Sequence, residues 1–262
     1  MPTSSEIVQF FCKHLVALNV SWELVDGANG ATAVTCFVLE VQGRWFLVTA
    51  GHVLEGLFKA LPRCRRVESS LFDGWHDRAH RTPLPFSLRD AEHIELDEDG
   101  LDVGLVVLHP MYRRMLEANG ITAFNERSWR DPPRDLEAHV LLGLPEQFIE
   151  RTVSQAGTEA VHVSPTLVTL HAVPPPSGRE KAFPCFYGKV PEPIPNPDTG
   201  ETLTGMVGFS GGPILGFRTN DAGAMRYYLV AIQAAWWPDL RVVNGPLASV
   251  IAAGLAAHLQ QP

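Results

Sequence analysis

The chain has 262 residues, 45% of them hydrophobic and 19% charged, and a formal net charge of −8 at pH 7. That length and apolar content can bury one large core or two small ones. The acidic balance, unrelieved by any basic stripe, argues against the phosphate-neutralising face that nucleic-acid binding requires, and no stretch approaches the roughly 20 apolar residues that span a bilayer.

At the N-terminus, Thr3 and Glu6 have capping-box spacing, and Ile7, Val8, Phe11, Leu15 and Leu18 fall on one helical face. This predicts a packed helix in place of a secretion signal, whose apolar run Lys13 and His14 would interrupt. Residues 31–39 and 44–49 read as strands, and Gln42 and Gly43 between them as a hairpin turn that delivers His52 at its far end. Residues 62–100 are charged and irregular. Within them His76 and His80, four apart, read as solvated loop histidines, and Asp97, Asp99 and Gly100 as a charged loop without the terminal Glu of a calcium site. A buried strand follows at 105–108, then a helix over 110–119 closed by Gly120.

Residues 125–137, rich in Arg, Asp and Pro, predict a connector between a first domain of 1–125 and a second of 126–262. Beyond it, 138–144, 160–163, 166–173, 214–217 and 227–234 are strand candidates separated by turn residues. The segment 174–197 carries eight prolines and predicts a stiff irregular loop, and 247–259 predicts an amphipathic surface helix. Cys12, Cys36, Cys64 and Cys185 fall at wide irregular spacings, which predicts reduced thiols, no zinc site and a cytoplasmic location.

The chemistry concentrates in Gly208, Phe209, Ser210, Gly211, Gly212 and Pro213. A serine flanked by glycines offers a nucleophile beside unobstructed backbone amides. An alkyl hydroxyl is a poor nucleophile at neutral pH, so Ser210 needs a neighbouring base, and the base needs an orienting acid. Thr49, Ala50, Gly51, His52 and Val53 end one apolar run, and Asp102, Val103, Gly104 and Leu105 open another. Asp102 alone abuts its apolar run, whereas Glu95, Asp97, Glu98 and Asp99 sit in the charged loop. The serine string also fits a G-x-S-x-G nucleophile elbow, with Asp239 and His258 following it. An elbow needs a helix straight after the serine, and two glycines and a proline leading into Ile214, Leu215, Gly216 and Phe217 open one poorly.

The order His52, Asp102, Ser210, at separations of 50 and 108 residues, resembles the trypsin-like serine proteases, of an intracellular bacterial type. The resemblance implies an all-β fold of two packed antiparallel β-barrels, here with an N-terminal and a C-terminal helix. It implies Ser210 as nucleophile, His52 as general base and acid, Asp102 as orienting carboxylate, and the amides of Gly208 and Ser210 as the oxyanion hole. It places Thr204 at the base of the specificity pocket and Ala234 and Trp236 beside the substrate. The expected partner is a protein or peptide substrate, with neither metal nor organic cofactor. The chain departs from the family pattern at two positions. Phe209 stands where secreted relatives carry an aspartate that pairs with a freshly cut N-terminus, so activation by N-terminal insertion is not expected. Thr204 stands where an acid selects Arg and Lys, so small or apolar residues are expected before the cut. The alternatives are a catalytically silent relative that binds peptides or a partner protein and, less well supported, an α/β-hydrolase-type esterase.

Overall fold

The structure is a computed structural model and describes residues 4–73, 83–96, 100–153, 159–194, 201–220 and 222–260. His76, His80, Asp97, Glu98, Asp99, Pro195 and Pro197 lie outside the described residues.

The first half contains α1 (Ser4–Cys12), β1 (Leu15–Leu24), β2 (Asn29–Val41), β3 (Arg44–Ala50), α2 (Gly51–Ala60), β4 (Cys64–Phe72), β5 (Leu84–Phe86), β6 (His93–Leu96) and β7 (Val103–Val107). Helices α3 (Pro110–Ala118) and α4 (Glu126–Trp129) follow. The second half contains β8 (Ala138–Gly143), β9 (Ile149–Val153), β10 (Glu159–Val163), β11 (Thr166–Ala172), β12 (Cys185–Lys189), β13 (Pro213–Thr219), β14 (Met225–Ile232), β15 (Ala235–Trp237), β16 (Val242–Pro246) and α5 (Ala248–His258).

The all-β expectation holds. Two seven-stranded antiparallel sheets run in the orders β5-β4-β1-β2-β3-β7-β6 and β14-β13-β8-β11-β12-β16-β15, with β9 and β10 as a separate pair. Among the described residues the edge strands of each sheet do not pair, so these are open sheets and not hydrogen-bonded closed barrels.

The hairpin of β2 and β3 turns on Gln42 and Gly43, both at positive φ (51° and 75°), between the paired residues Val41 and Arg44. A two-residue loop of that handedness matches the twist of the flanking strands. The expected N-terminal helix is shorter than its apolar pattern suggests. It ends at Cys12, and Leu15 and Leu18 belong to β1. Strand β1 pairs on both edges, with β2 and β4, and residues 15–18 are buried on both faces, so consecutive apolar residues there imitate one helical face. The charged stretch 62–100 likewise contains β4, β5 and β6, and the proline-rich segment contains β12 between Pro184 and Pro191. In that segment proline spares residues 185–189, whose amides are free to join the ladder with β16. No two of the four cysteines are joined in a disulfide, and no helix among the described residues is long and apolar enough to cross a membrane.

The two halves share an interior. One apolar cluster takes Val8 and Phe11 from α1, Phe37, Phe46 and Leu105 from the first sheet, Leu142, Leu215 and Leu229 from the second, and Ile251 and Leu255 from α5. Helix α5 presents Ala248, Ile251, Ala252 and Leu255, one stripe at helical spacing, to this cluster.

His14, just beyond α1, is buried in the same region and stacks on Phe124 at a ring separation of 3.9 Å. Its Nδ1 meets the Thr122 carbonyl, and its Nε2 lies 2.9 Å from the Tyr227 hydroxyl. The neutral ring fits both contacts, with Nδ1–H donating and Nε2 accepting. Burial drives its pKa down to about 3, with Lys13 adding to the depression and the Thr122 carbonyl opposing it. An unfolded histidine titrates near 6.5, so below that pH the unfolded chain takes up a proton that the folded chain refuses. Stability is therefore fully present above about pH 6.5 and declines toward pH 3, by up to about 1.4 kcal/mol per pH unit from this group. Between pH 6.5 and 4, urea midpoints of wild type should fall more steeply than those of His14→Gln. Equal slopes would exclude His14 as the source.

Candidate active site

Strand β3 ends at Ala50 and α2 begins at once, which puts His52 on the first turn of a helix. The first amides of a helix have no intrahelical acceptor, and Ala50 at the cap position supplies no side-chain one. Asp102 fills the gap from another element. Its Oδ1 accepts the His52 backbone N–H at 2.7 Å, and its Oδ2 lies 2.8 Å from His52 Nδ1. Asp102 holds φ at 55°, a left-handed conformation that Asp tolerates better than most residues, and this turns its carboxylate back toward α2 as β7 begins. The side chains of His52 and Asp102 are 53% and 24% exposed. The Asp102 hydrogen bond raises the His52 pKa above its ordinary value, its charge adds to the rise, and partial burial opposes it. The carboxylate thus fixes Nδ1 as the protonated nitrogen and leaves Nε2 as the acceptor.

The serine segment is built from two successive tight turns. Phe209 N–H donates to the Met206 carbonyl at 3.2 Å, and Gly212 N–H donates to the Phe209 carbonyl at 2.8 Å. The third residue of each turn is a glycine at positive φ, Gly208 at 92° and Gly211 at 86°, as a type II turn demands. A turn closed between its first and fourth residues leaves its two central amides unspent. Gly211 spends its own on the Gln233 carbonyl at 2.8 Å. Among the described residues neither the Gly208 amide nor the Ser210 amide donates a hydrogen bond. These are the two amides expected from the sequence to stabilise an oxyanion.

Four anchors hold this segment. Phe209 is fully buried and packs against Gly143. Glu146 N–H donates to the Val207 carbonyl at 3.0 Å, and Gln233 N–H donates to the Gly212 carbonyl at 2.9 Å. From the first half, the Thr35 hydroxyl donates to the Gly208 carbonyl at 2.6 Å. Gly211 lies against the end of β3, where a Cβ would sit 2.4 Å from Thr49 Oγ1 and 2.7 Å from Ala50 N. The residue after Ser210 therefore touches the strand end that leads to His52. Ser210 itself is half-buried, and among the described residues its hydroxyl makes no hydrogen bond to the His52 ring.

Thr204 is exposed, and Gln147 Oε1 accepts hydrogen bonds from both its amide and its hydroxyl at 3.0 Å. Ala234 N–H donates to the Asn244 carbonyl at 2.9 Å, and Trp236, on β15, packs partly against the core of the second half. Strand β13, not a helix, follows Ser210, so the nucleophile-elbow reading lacks its helix, and His258 lies in the last turn of α5. Sequence reasoning overlooked Thr35, Gln147 and Gln233. For Thr35 a signal existed: a hydroxyl between Val34 and Cys36 in a strand whose neighbours are all buried needs internal partners.

No protein-family model matches the chain, and no curated protein matches it. Among solved structures the chain is similar to the protease Anisep from Arthrobacter nicotinovorans, with a TM-score of 0.43, 14% identity and 90% of each chain covered. It is equally similar to a structure from work on coupled folding and binding of the Sesbania mosaic virus VPg protein, with a TM-score of 0.43, 12% identity, and 90% of this chain and 88% of that one covered. At that similarity neither relative lends this chain residue roles or an activity.

The pairing of His52 with Asp102 can be read without any substrate. The His52 ring resonances should titrate with a midpoint above about 6.5, and Asp102→Asn should bring that midpoint down. An unchanged midpoint in Asp102→Asn would break the link between the carboxylate and the imidazole.

Proposed function

We propose that the protein is a serine endopeptidase that cleaves a protein or peptide substrate through an acyl-enzyme on Ser210. The observation that carries this reading is the serine turn, with unspent amides on Gly208 and Ser210, set against the strand end that leads to an Asp102-paired His52.

In the reaction, His52 Nε2 takes the Ser210 proton as Oγ attacks the scissile carbonyl. The carbonyl oxygen gains negative charge as the carbon becomes tetrahedral, and the two amides stabilise it without reorganising. The imidazolium, steadied by Asp102, then gives its proton to the leaving amine as the C–N bond breaks. A water repeats the sequence on the ester and releases the acid. The Ser210–His52 hydrogen bond forms when substrate excludes water, since such contacts are often long in the unliganded state. The chemistry needs no cofactor. Thr204, neutral and engaged with Gln147, favours small or apolar side chains before the cut. The free thiols of Cys36, Cys64 and Cys185 suit a reducing cytoplasm and a target protein found there.

The absent Ser210–His52 hydrogen bond also fits a second reading, a catalytically silent module that binds peptides. A fluorophosphonate probe separates the two. Wild type should be labelled and Ser210→Ala should not; a wild type that stays inert would support the silent module.

The labelling rate should rise with pH as His52 loses its proton, with a midpoint above about 6.5 because Asp102 raises the His52 pKa. Asp102→Asn should lower the rate by about 10⁴-fold. A flat profile from pH 5 to 8 would argue against a histidine base. In a proteome digest, cleavage should follow small or apolar residues, and a dominance of Arg and Lys would overturn the role given to Thr204.

A further inference from the structure

We infer that Thr35 is a positioning residue that sets the oxyanion amides in register with His52, an inference that rests on the serine-hydrolase reading of the site. Thr35 lies on β2, is 1% exposed and touches neither Ser210 nor His52 by any hydrogen bond. It nonetheless joins the two halves at the point where the site is assembled. Its hydroxyl accepts the Leu144 N–H at 2.9 Å and donates to the Gly208 carbonyl at 2.6 Å. Its own carbonyl accepts the Thr49 hydroxyl at 3.0 Å.

Each of these contacts bears on a different part of the site. The Gly208 carbonyl shares its peptide plane with the Phe209 N–H, whose 3.2 Å bond to the Met206 carbonyl closes the turn, and the Thr35 hydroxyl holds the same plane from its other edge at a residue whose φ of 92° leaves it alternatives. Holding that plane from both edges sets the two peptide units that flank it, which carry the Gly208 amide on one side and the Ser210 amide on the other. The Leu144 contact fixes the support beneath, because a Cβ on Gly208 would fall 2.3 Å from the Leu144 carbonyl oxygen and 2.6 Å from Glu146 N. The Thr49 contact ties the same residue to β3, against which Gly211 rests and from which His52 extends. One buried hydroxyl and its carbonyl therefore link the electrophile-binding amides on one side to the base on the other.

A hydroxyl that both donates and accepts inside the protein has few substitutes. Valine matches its shape and abolishes both contacts; serine keeps both. An interaction that orients the oxyanion amides acts only as charge develops, so its loss slows chemistry and leaves ground-state binding in place.

The experiment measures fluorophosphonate labelling of the full chain, since the phosphonyl oxygen takes the place of the oxyanion. Concentration dependence separates the maximal labelling rate from the half-saturating concentration. Thr35→Val should lower the maximal rate about 10- to 100-fold, part of what losing a whole oxyanion donor costs, with the half-saturating concentration within about twofold of wild type. The His52 titration midpoint should be unchanged, and Thr35→Ser should return the rate to within about threefold of wild type. Thr35→Ala, compared with Thr35→Ser, gives the same test should the valine variant not fold. A folded Thr35→Val that labels at the wild-type rate, or a serine variant as slow as the valine one, would overturn the inference and leave the endopeptidase reading intact. A wild type that does not label at all would overturn both.

Discussion

The Asp102 carboxylate is the constraint on which the arrangement depends, because it answers two unmet demands at once. Helix α2 starts without a capping side chain of its own, and an imidazole on its first turn needs one nitrogen pinned. A single carboxylate accepts from the His52 backbone and sits against the His52 ring, so the start of the helix and the face of the imidazole move together. The negative charge also offsets the positive end of the helix, where a protonated histidine would otherwise be disfavoured. Because the pair is partly solvent-exposed, its value lies in orientation more than in folding stability.

The serine segment obeys a different economy. Its shape is written in backbone hydrogen bonds and two glycines, and its fixed point is an apolar side chain, Phe209, sunk into the core of the second half with Met206 and Ile214. An ion pair at this position would have to wait for a charged partner. Burial of an aromatic ring happens as the chain folds. Within Gly-Phe-Ser-Gly-Gly the glycines set the two turns and Phe209 anchors them, while Thr35, Glu146 and Gln233 hold the segment from outside.

Much of this was legible in the sequence, and the failures have physical causes. The β2–β3 hairpin was readable because Gln42-Gly43 tolerates positive φ between two apolar runs. His52, Asp102 and Ser210 stood out because each sits where an apolar run meets small or polar residues. Strand β1 was mistaken for the end of a helix because a strand buried on both faces carries no period of two. Strand β12 hid among prolines whose local rule, no amide to donate, stops short of residues 185–189. Thr35 was missed for a third reason: a hydroxyl among buried neighbours announces only that it needs partners, and their identity comes from Leu144 and Gly208, more than a hundred residues away.

The apolar interior common to both halves has a mechanical consequence. A hinge between the sheets would have to draw Phe11, Phe37, Leu229 and Ile251 apart and wet them together. Each half also keeps an apolar core of its own, so this shared cluster is what ties one sheet to the other. Relative motion of the two sheets is therefore opposed by the wetting of that shared cluster, at about 25 cal/mol for each Å² of apolar surface exposed.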